Sequence, residues 1–240
     1  MSYRILLCLL FMLQPWRLAL AAPPEVGATL DLAVAAYAKV DDYSCRMSRK
    51  ERLEGDNIKE HSTVHFKYKR PGRYYMRWPS DLIELIYGDG LYNNKMVIHG
   101  GKVFSFASVE VDPALALKYN RHTIKEAGIG HVLDLILKNY RQAASDKEAR
   151  IVYERDDVVD GRPTWRFTGT FPAGRGYYGH TVHLDIDQAL HLPVRIEVYG
   201  WQDEFLEAYA YTDLHLNVGL AEADFDIHNP AYRFDAGEKK

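Results

Sequence analysis

The sequence predicts an α+β domain built on one large, curved antiparallel sheet, with a helix at the N-terminus and a helical insertion at mid-chain. Apolar and polar residues alternate with period two in most segments after residue 42, which is the signature of half-buried strands. Gly, Pro and Asp signals separate these segments at the spacing of a meander. Only two stretches carry helical spacing, one before the first strand and one between the two sets of strands.

Before the first element, residues 1–21 read as a secretory signal peptide. Arg4 precedes an apolar run from Ile5 to Leu13, and Ala19 and Ala21 stand at the two positions a signal peptidase reads. The run is too short to span a bilayer, and no other stretch is long and apolar enough. The domain is therefore expected over residues 22–240, periplasmic or secreted and not transmembrane. No Cys stands at the mature start, so no lipid anchor is expected there. Loss of Arg4 and Arg17 takes the formal charge from −3 to −5. That mild acidity, without a basic patch, argues against nucleic acid as partner. Cys8 leaves with the leader, and Cys45 reads as a buried, inert thiol without an internal disulfide partner.

The first helix is expected after Pro23-Pro24, with Val26, Leu30, Ala33, Val34 and Tyr37 on its apolar face. Tyr43, Cys45 and Met47 then alternate with Ser44, Arg46 and Ser48 as a strand. The clearest hairpin is "HSTVHFKYKRPGRYYMRWP" (61–79). Val64, Phe66 and Tyr68 share a face on one arm, and Tyr74, Met76 and Trp78 on the other. Pro71-Gly72 makes the turn, with Pro fixing φ and Gly accepting positive φ. Strands around Gly88-Asp89-Gly90 and Gly100-Gly101 extend the meander. The second half repeats the scheme around Asp160-Gly161 and Asp187-Gln188, ends on "FLEAYAYTDLHLNVGL" (205–220), and leaves an aromatic tail that docks back on the body.

In the insertion, Thr123 and Glu126 have the spacing of a capping box, with the Thr123 hydroxyl expected to accept a first-turn amide. Gly128 and Gly130 each cost about 1 kcal/mol inside a helix. A short turn, a break and a second helix over 131–140 are therefore predicted, with Val132, Leu133, Ile136, Leu137 and Tyr140 as its apolar stripe. A helical insertion broken by glycines suits a movable cover, or else a fixed plug at the end of a curved sheet. Arg121 and His122 lie just outside the cap. They fit either an anion site at a helix start or an Arg paired with an acidic residue beside a His bonded to backbone.

No catalytic signature is found. H-E-x-x-H, G-x-S-x-G, phosphate-loop and dinucleotide motifs are missing from the sequence. No metal and no cofactor are expected. Of the ten histidines, His61 and His65 share a strand face but lie about 13 Å apart at strand rise, and His180 and His183 point to opposite faces, so a metal site would need long-range assembly. The pairs Asp41-Asp42 and Asp156-Asp157 read as solvated turns. The apolar inventory points instead to binding. The hairpin face of Phe66, Tyr68, Tyr74, Met76 and Trp78, covered by Leu133 and Ile136 of the helix, forms either the wall of an apolar site or a dry core.

"YSCRMSRKERLEG", "KYKRPGRYYMRW", "NRHTIKEAGIG" and "LNVGLAEADFDIHNPAYRF" resemble the DUF1571 family of exported bacterial proteins from about Tyr37 to Phe234. More distantly, the run of strand, "KRPGRY", strand and "IYGDG" is similar to the LolA/LolB lipoprotein-carrier superfamily. That resemblance implies a LolA-like fold: an unclosed β-barrel whose hydrophobic mouth is covered by helices and whose known members carry acyl chains or other lipids. It implies a lipid or amphiphile carrier, with the aromatic face taking the tail and Arg121 or Arg70 the polar head. A non-enzymatic envelope module with a protein partner and a dry core is the alternative, and a hydrolase or metalloenzyme the third.

Overall fold

A computed structural model describes residues 22–54, 57–101 and 104–234. The leader expected at 1–21 lies outside the described residues. Helix α1 (Val26–Tyr37) leads into strands β1 (Asp42–Arg52), β2 (Ile58–Lys69), β3 (Arg73–Trp78), β4 (Ile83–Gly88), β5 (Met96–Gly100) and β6 (Phe104–Val111). Two 3-10 turns, Pro113–Lys118 and Ile124–Glu126, and helix α2 (Ile129–Ala143) follow. Strands β7 (Arg150–Val159), β8 (Arg162–Thr170), β9 (Thr181–Asp187), β10 (Pro193–Tyr199) and β11 (Phe205–Leu216) complete the sheet.

All eleven strands form one antiparallel sheet in the order β6-β5-β4-β3-β2-β1-β11-β10-β9-β8-β7. Two meanders meet at a central seam between β1 and β11. The outermost strands, β6 and β7, do not pair, so the barrel is unclosed. The chain leaves the sheet at β6 and re-enters at β7, so the mid-chain insertion runs between its two edges. Helix α2 packs on β10, β7 and α1.

The alternation places the inner face. Tyr43 pairs with Tyr68, Tyr68 with Tyr74 and Tyr74 with Tyr87, one tyrosine per strand across β1–β4. Their ring centroids are 5.3, 5.2 and 6.0 Å apart in turn, within the range where aromatic pairs attract. The next row is Cys45, Phe66, Met76 and Leu85, all buried. The outer face of β3–β5 is also buried. Tyr75, Ile86 and Val97 pack there against Leu220, Phe225 and Phe234 of the C-terminal tail. Tyr232 stacks on Tyr75 at 4.2 Å, and Lys67 Nζ donates to Asp224 at 2.7 Å.

Several expectations change. Helix α1 buries Leu30 and Ala33 as expected, but Val34 is 41% exposed and Thr29 is buried in its place. The Arg70–Pro71 peptide is cis, and Gly72 does not adopt a positive φ. Asp42 is no solvated turn: it is buried, and its carboxylate accepts from the Gly219 and Leu220 amides at 3.2 and 3.1 Å. Asp156 and Asp157 lie within β7, where Asp157 accepts from Arg195 at 2.8 Å. The Thr123–Glu126 capping box forms as expected, and the Thr123 hydroxyl also donates to the Glu126 carboxylate at 2.9 Å. Helix α2 starts earlier than expected, at Ile129. Gly128, with φ 96°, precedes it, and the Ile129 amide donates to Tyr43 Oη at 3.0 Å. Gly130 lies inside the helix, where a Cβ would come within 2.3 Å of the Tyr37 hydroxyl oxygen. Its smallness seats α1 against α2; it does not break the helix.

Candidate functional site

The inner face of the seam carries charges where alternation alone would place apolar side chains. Arg49 and Glu51 on β1, and Glu207 and Tyr209 on β11, continue the inward rows. The insertion lays Arg121 and His122 over them. Glu207 is buried, and its Oε2 lies 2.9 Å from His122 Nε2 and 3.3 Å from Arg121 Nε. Tyr178 Oη donates to the same oxygen at 2.8 Å and accepts from Arg121 Nε at 2.9 Å. Arg121 also donates to the Arg52 carbonyl at 3.0 Å. Tyr209 Oη donates to Glu51, which is buried beside Arg49. Arg121 is thus paired with a carboxylate, as one reading of the sequence had it, and His122 bonds to that carboxylate rather than to backbone.

Charge balance decides what this cluster attracts. Glu51, Glu126 and Glu207 face two guanidinium groups, Arg49 and Arg121, with His122 and His131 between them. Arg121 and His122 are already neutralised and do not form an open anion clamp. Burial disfavours a charged His122, but Glu207 outweighs it and holds the imidazole pKa above the ordinary value. Burial and the neighbouring His122 push His131 below the ordinary value. Burial raises Tyr178 and Tyr209, so both stay protonated as donors. Burial also works against ionised Glu126, but the Thr123 amide and hydroxyl overcome it and lower its pKa.

Beside the cluster lies a cavity of about 80 Å³. Met47, Met76, Trp78, Leu85, Met96 and Ile124 line its apolar side, and Arg49, Glu51, Asn120, His122 and Tyr209 its polar side. A second cavity of about 20 Å³ is bounded by His122, Glu126, His131 and Glu207. A third, about 40 Å³, lies under Ile136 and is walled by Phe167, Phe171 and Leu184.

The residues singled out from sequence divide among these places. Met76, Trp78 and His122 line the first cavity. Phe66, Tyr68 and Tyr74 pack in the core beneath α2 and the turn before it. Leu133 is buried in α2, and Ile136 serves the third cavity, over the other half of the sheet. Arg70 lies elsewhere: it is exposed, stacks over Tyr37 at 4.7 Å and donates to the Tyr37 carbonyl at 2.7 Å, closing the end of α1. Sequence reading missed Glu51, Glu207 and Tyr209, which the long-range pairing of β1 with β11 brings in, and Tyr178, which lies in the loop between β8 and β9. It also missed Glu126 and His131 as partners of His122, although "HTIKEAGIGH" (122–131) contains all three.

The segment from Asp112 to Thr123 contributes no buried residue, and Leu115, Leu117 and Tyr119 are about half exposed or more. Polar contacts hold it. Arg49 and Lys59 donate to Asn120, the latter at 3.3 Å, and Lys59 reaches the Tyr119 carbonyl at 3.2 Å. No helix among the described residues is long and apolar enough to cross a membrane.

The family model described as "Protein of unknown function (DUF1571)" matches residues 40–234, and the chain belongs to this family. No curated protein matches it. Among solved structures, the chain is similar to MucB in the MucA/MucB complex of Pseudomonas aeruginosa, with 16% identity, a TM-score of 0.43, and 83% of this chain and 59% of that chain covered. It is similar to the lipoprotein LppX of Mycobacterium tuberculosis, with 12% identity, a TM-score of 0.47, and 84% and 100% covered. It is also similar to a LolA superfamily protein from Nitrosomonas europaea, with 10% identity, a TM-score of 0.27, and 83% and 96% covered. The chain spans 59% and 62% of the two MucB chains with the leading matches.

Proposed function

We propose that this DUF1571 protein is a non-enzymatic binding or carrier protein of the cell envelope, where its leader-like N-terminus would send it. It takes a lipid or similar amphiphile between the inner face of the sheet and the segment 112–127. The single observation that carries this reading is the two-sided lining of the 80 Å³ cavity, methionines and Trp78 against Arg49, Glu51 and His122. Apolar side chains would take the tail, and the polar end would take the head. Sites for ligands of drug size run to about 300–1,000 Å³, so this reading requires an open form in which the 80 Å³ cavity expands. Expansion is physically accessible, because thioether side chains repack readily. Residues 112–123 of the overlying segment include none that is fully buried, so lifting this part about the Ile124 anchor exposes little area.

Native mass spectrometry of protein taken from the periplasm should show a lipid-sized adduct, and a dansylated fatty acid should bind with enhanced emission. Met96→Trp fills the cavity and should weaken the probe by at least about tenfold while far-ultraviolet circular dichroism stays unchanged. Absence of both adduct and probe binding would end this reading. The small volumes of the three cavities described above favour one alternative, an envelope interaction module with a dry core. A specific protein partner in a cross-linked pull-down, unaffected by Met96→Trp, would support it.

A further inference from the structure

The segment His122–His131 packs two imidazoles and a carboxylate together, and of these amphiphile binding uses only His122. The ligating atoms of His122, Glu126 and His131 all lie within 4.8 Å of one another. These three residues and Glu207 border the 20 Å³ cavity, with Tyr209 and Tyr211 behind. A void of about 10–15 Å³ accommodates one water-sized occupant. Bonds of about 2.0–2.2 Å to a tetrahedral ion set its ligand atoms roughly 3.3–3.6 Å apart, so side-chain adjustments of about 1 Å bring the three groups into range. Glu207 Oε2, 2.9 Å from His122 Nε2, lies outside that mutual 4.8 Å group and would have to move toward it to supply a fourth donor.

Supporting contacts of the kind that metal sites use are in place. The Thr123 amide and hydroxyl hold the Glu126 carboxylate at 2.8 and 2.9 Å, and Tyr178 orients Glu207 at 2.8 Å. With His122 deprotonated, as a metal-ligating imidazole must be, Glu126 and Glu207 face one guanidinium, that of Arg121, and leave a net negative site for a divalent cation. Imidazole with carboxylate is the donor set of zinc and related first-row ions.

We infer that His122, Glu126 and His131, with Glu207, form a binding site for one divalent transition-metal ion of the zinc class. The ion would tie the turn at 122–126 and the first turn of α2 to β11 of the sheet. Its position across three elements makes it a latch on the cover, whatever the interior holds.

The test is direct. The protein, stripped with chelator and dialysed, is titrated with ZnCl₂ by calorimetry and with CoCl₂ by visible absorption. One equivalent should bind, Co²⁺ should show the d–d bands of a site with nitrogen and oxygen ligands, and Zn²⁺ should raise the Tm by about 5 °C or more. His131→Ala and Glu126→Gln should each weaken Zn²⁺ at least about 100-fold. His215→Ala, at an exposed histidine, should not. Circular dichroism of the metal-free variants checks their fold, and His131→Gln provides a second, less disruptive substitution. Absence of one-equivalent uptake, or uptake that survives both His131→Gln and Glu126→Gln, overturns the inference. Neither result depends on whether an amphiphile binds.

Discussion

At Asp187 a buried carboxylate ends β9 and organises the turn that follows. Its Oδ1 accepts from the Ala189 and Leu190 amides at 2.8 and 2.7 Å, and Arg162 spans both oxygens. Burial opposes ionisation, but Arg162 and the two amides overcome it and hold the pKa below the ordinary carboxylate value. An unfolded Asp titrates near pH 3.9. The stabilisation is therefore fully present above about pH 4 and is lost as pH falls through the lower folded value. Asp187→Asn should cost about 1–3 kcal/mol at neutral pH. The gap to wild type in thermal unfolding should narrow as pH drops below about 4, and a gap that stays constant would contradict this account. Individual residues were unevenly legible. Asp187 stands in a "DQ" pair that promises only a turn, and nothing in the sequence shows Arg162 closing over it. His122, Glu126 and His131 share one local stretch, where the capping pattern of Thr123 and Glu126 already accounts for the carboxylate. Glu207 becomes a partner of His122 only through tertiary folding.

Elements were more legible than residues, because period-two alternation registers strands directly. Boundaries depended on contacts that alternation does not carry. Helix α2 begins where Tyr43, a sheet residue, accepts the Ile129 amide, and where Gly128 turns the chain at φ 96° and ψ 177°. This backbone region belongs almost wholly to glycine, and a Cβ there would lie 2.3 Å from the Tyr43 hydroxyl oxygen. Gly128→Ala should cost about 3 kcal/mol or more, or some 6–12 °C in Tm for a chain of this size. Loss of the tyrosine hydroxyl in Tyr43→Phe should cost nearer 1 kcal/mol. Equal losses in a thermal melt would show that the glycine is not required for its conformation.

The whole molecule depends on two things that the sequence pattern left open, the seam between β1 and β11 and the strapping of the tail. Alternation specifies faces but not which strand becomes the neighbour of which, so the two meanders were visible while their union was not. The tail was expected to dock. The structure adds that it covers the outer side of β3–β5, so that this half of the sheet is buried on both faces. Tyr232→Ala removes a ring stacked on Tyr75 and a hydroxyl that accepts from Lys67 at 3.1 Å. It should cost about 2–3 kcal/mol, near 4–12 °C in Tm, and increase binding of a hydrophobic dye to the outer face. An unchanged melt would mean that the strap adds no stability.

The seam also has a consequence for biosynthesis. Its first strand is made early and its second is among the last segments to emerge, since Glu51 on β1 pairs with Glu207 on β11. Until then β1 is an unsatisfied edge, open to strands of other nascent chains, although in the finished protein it is the most interior strand. Natural edges are guarded by charge, and β1 carries Arg46, Arg49, Lys50 and Arg52 along its length. Cations in this number suit an edge that must wait unpaired in the growing chain, and Asp213 on β11 later lies 3.4 Å from Arg46.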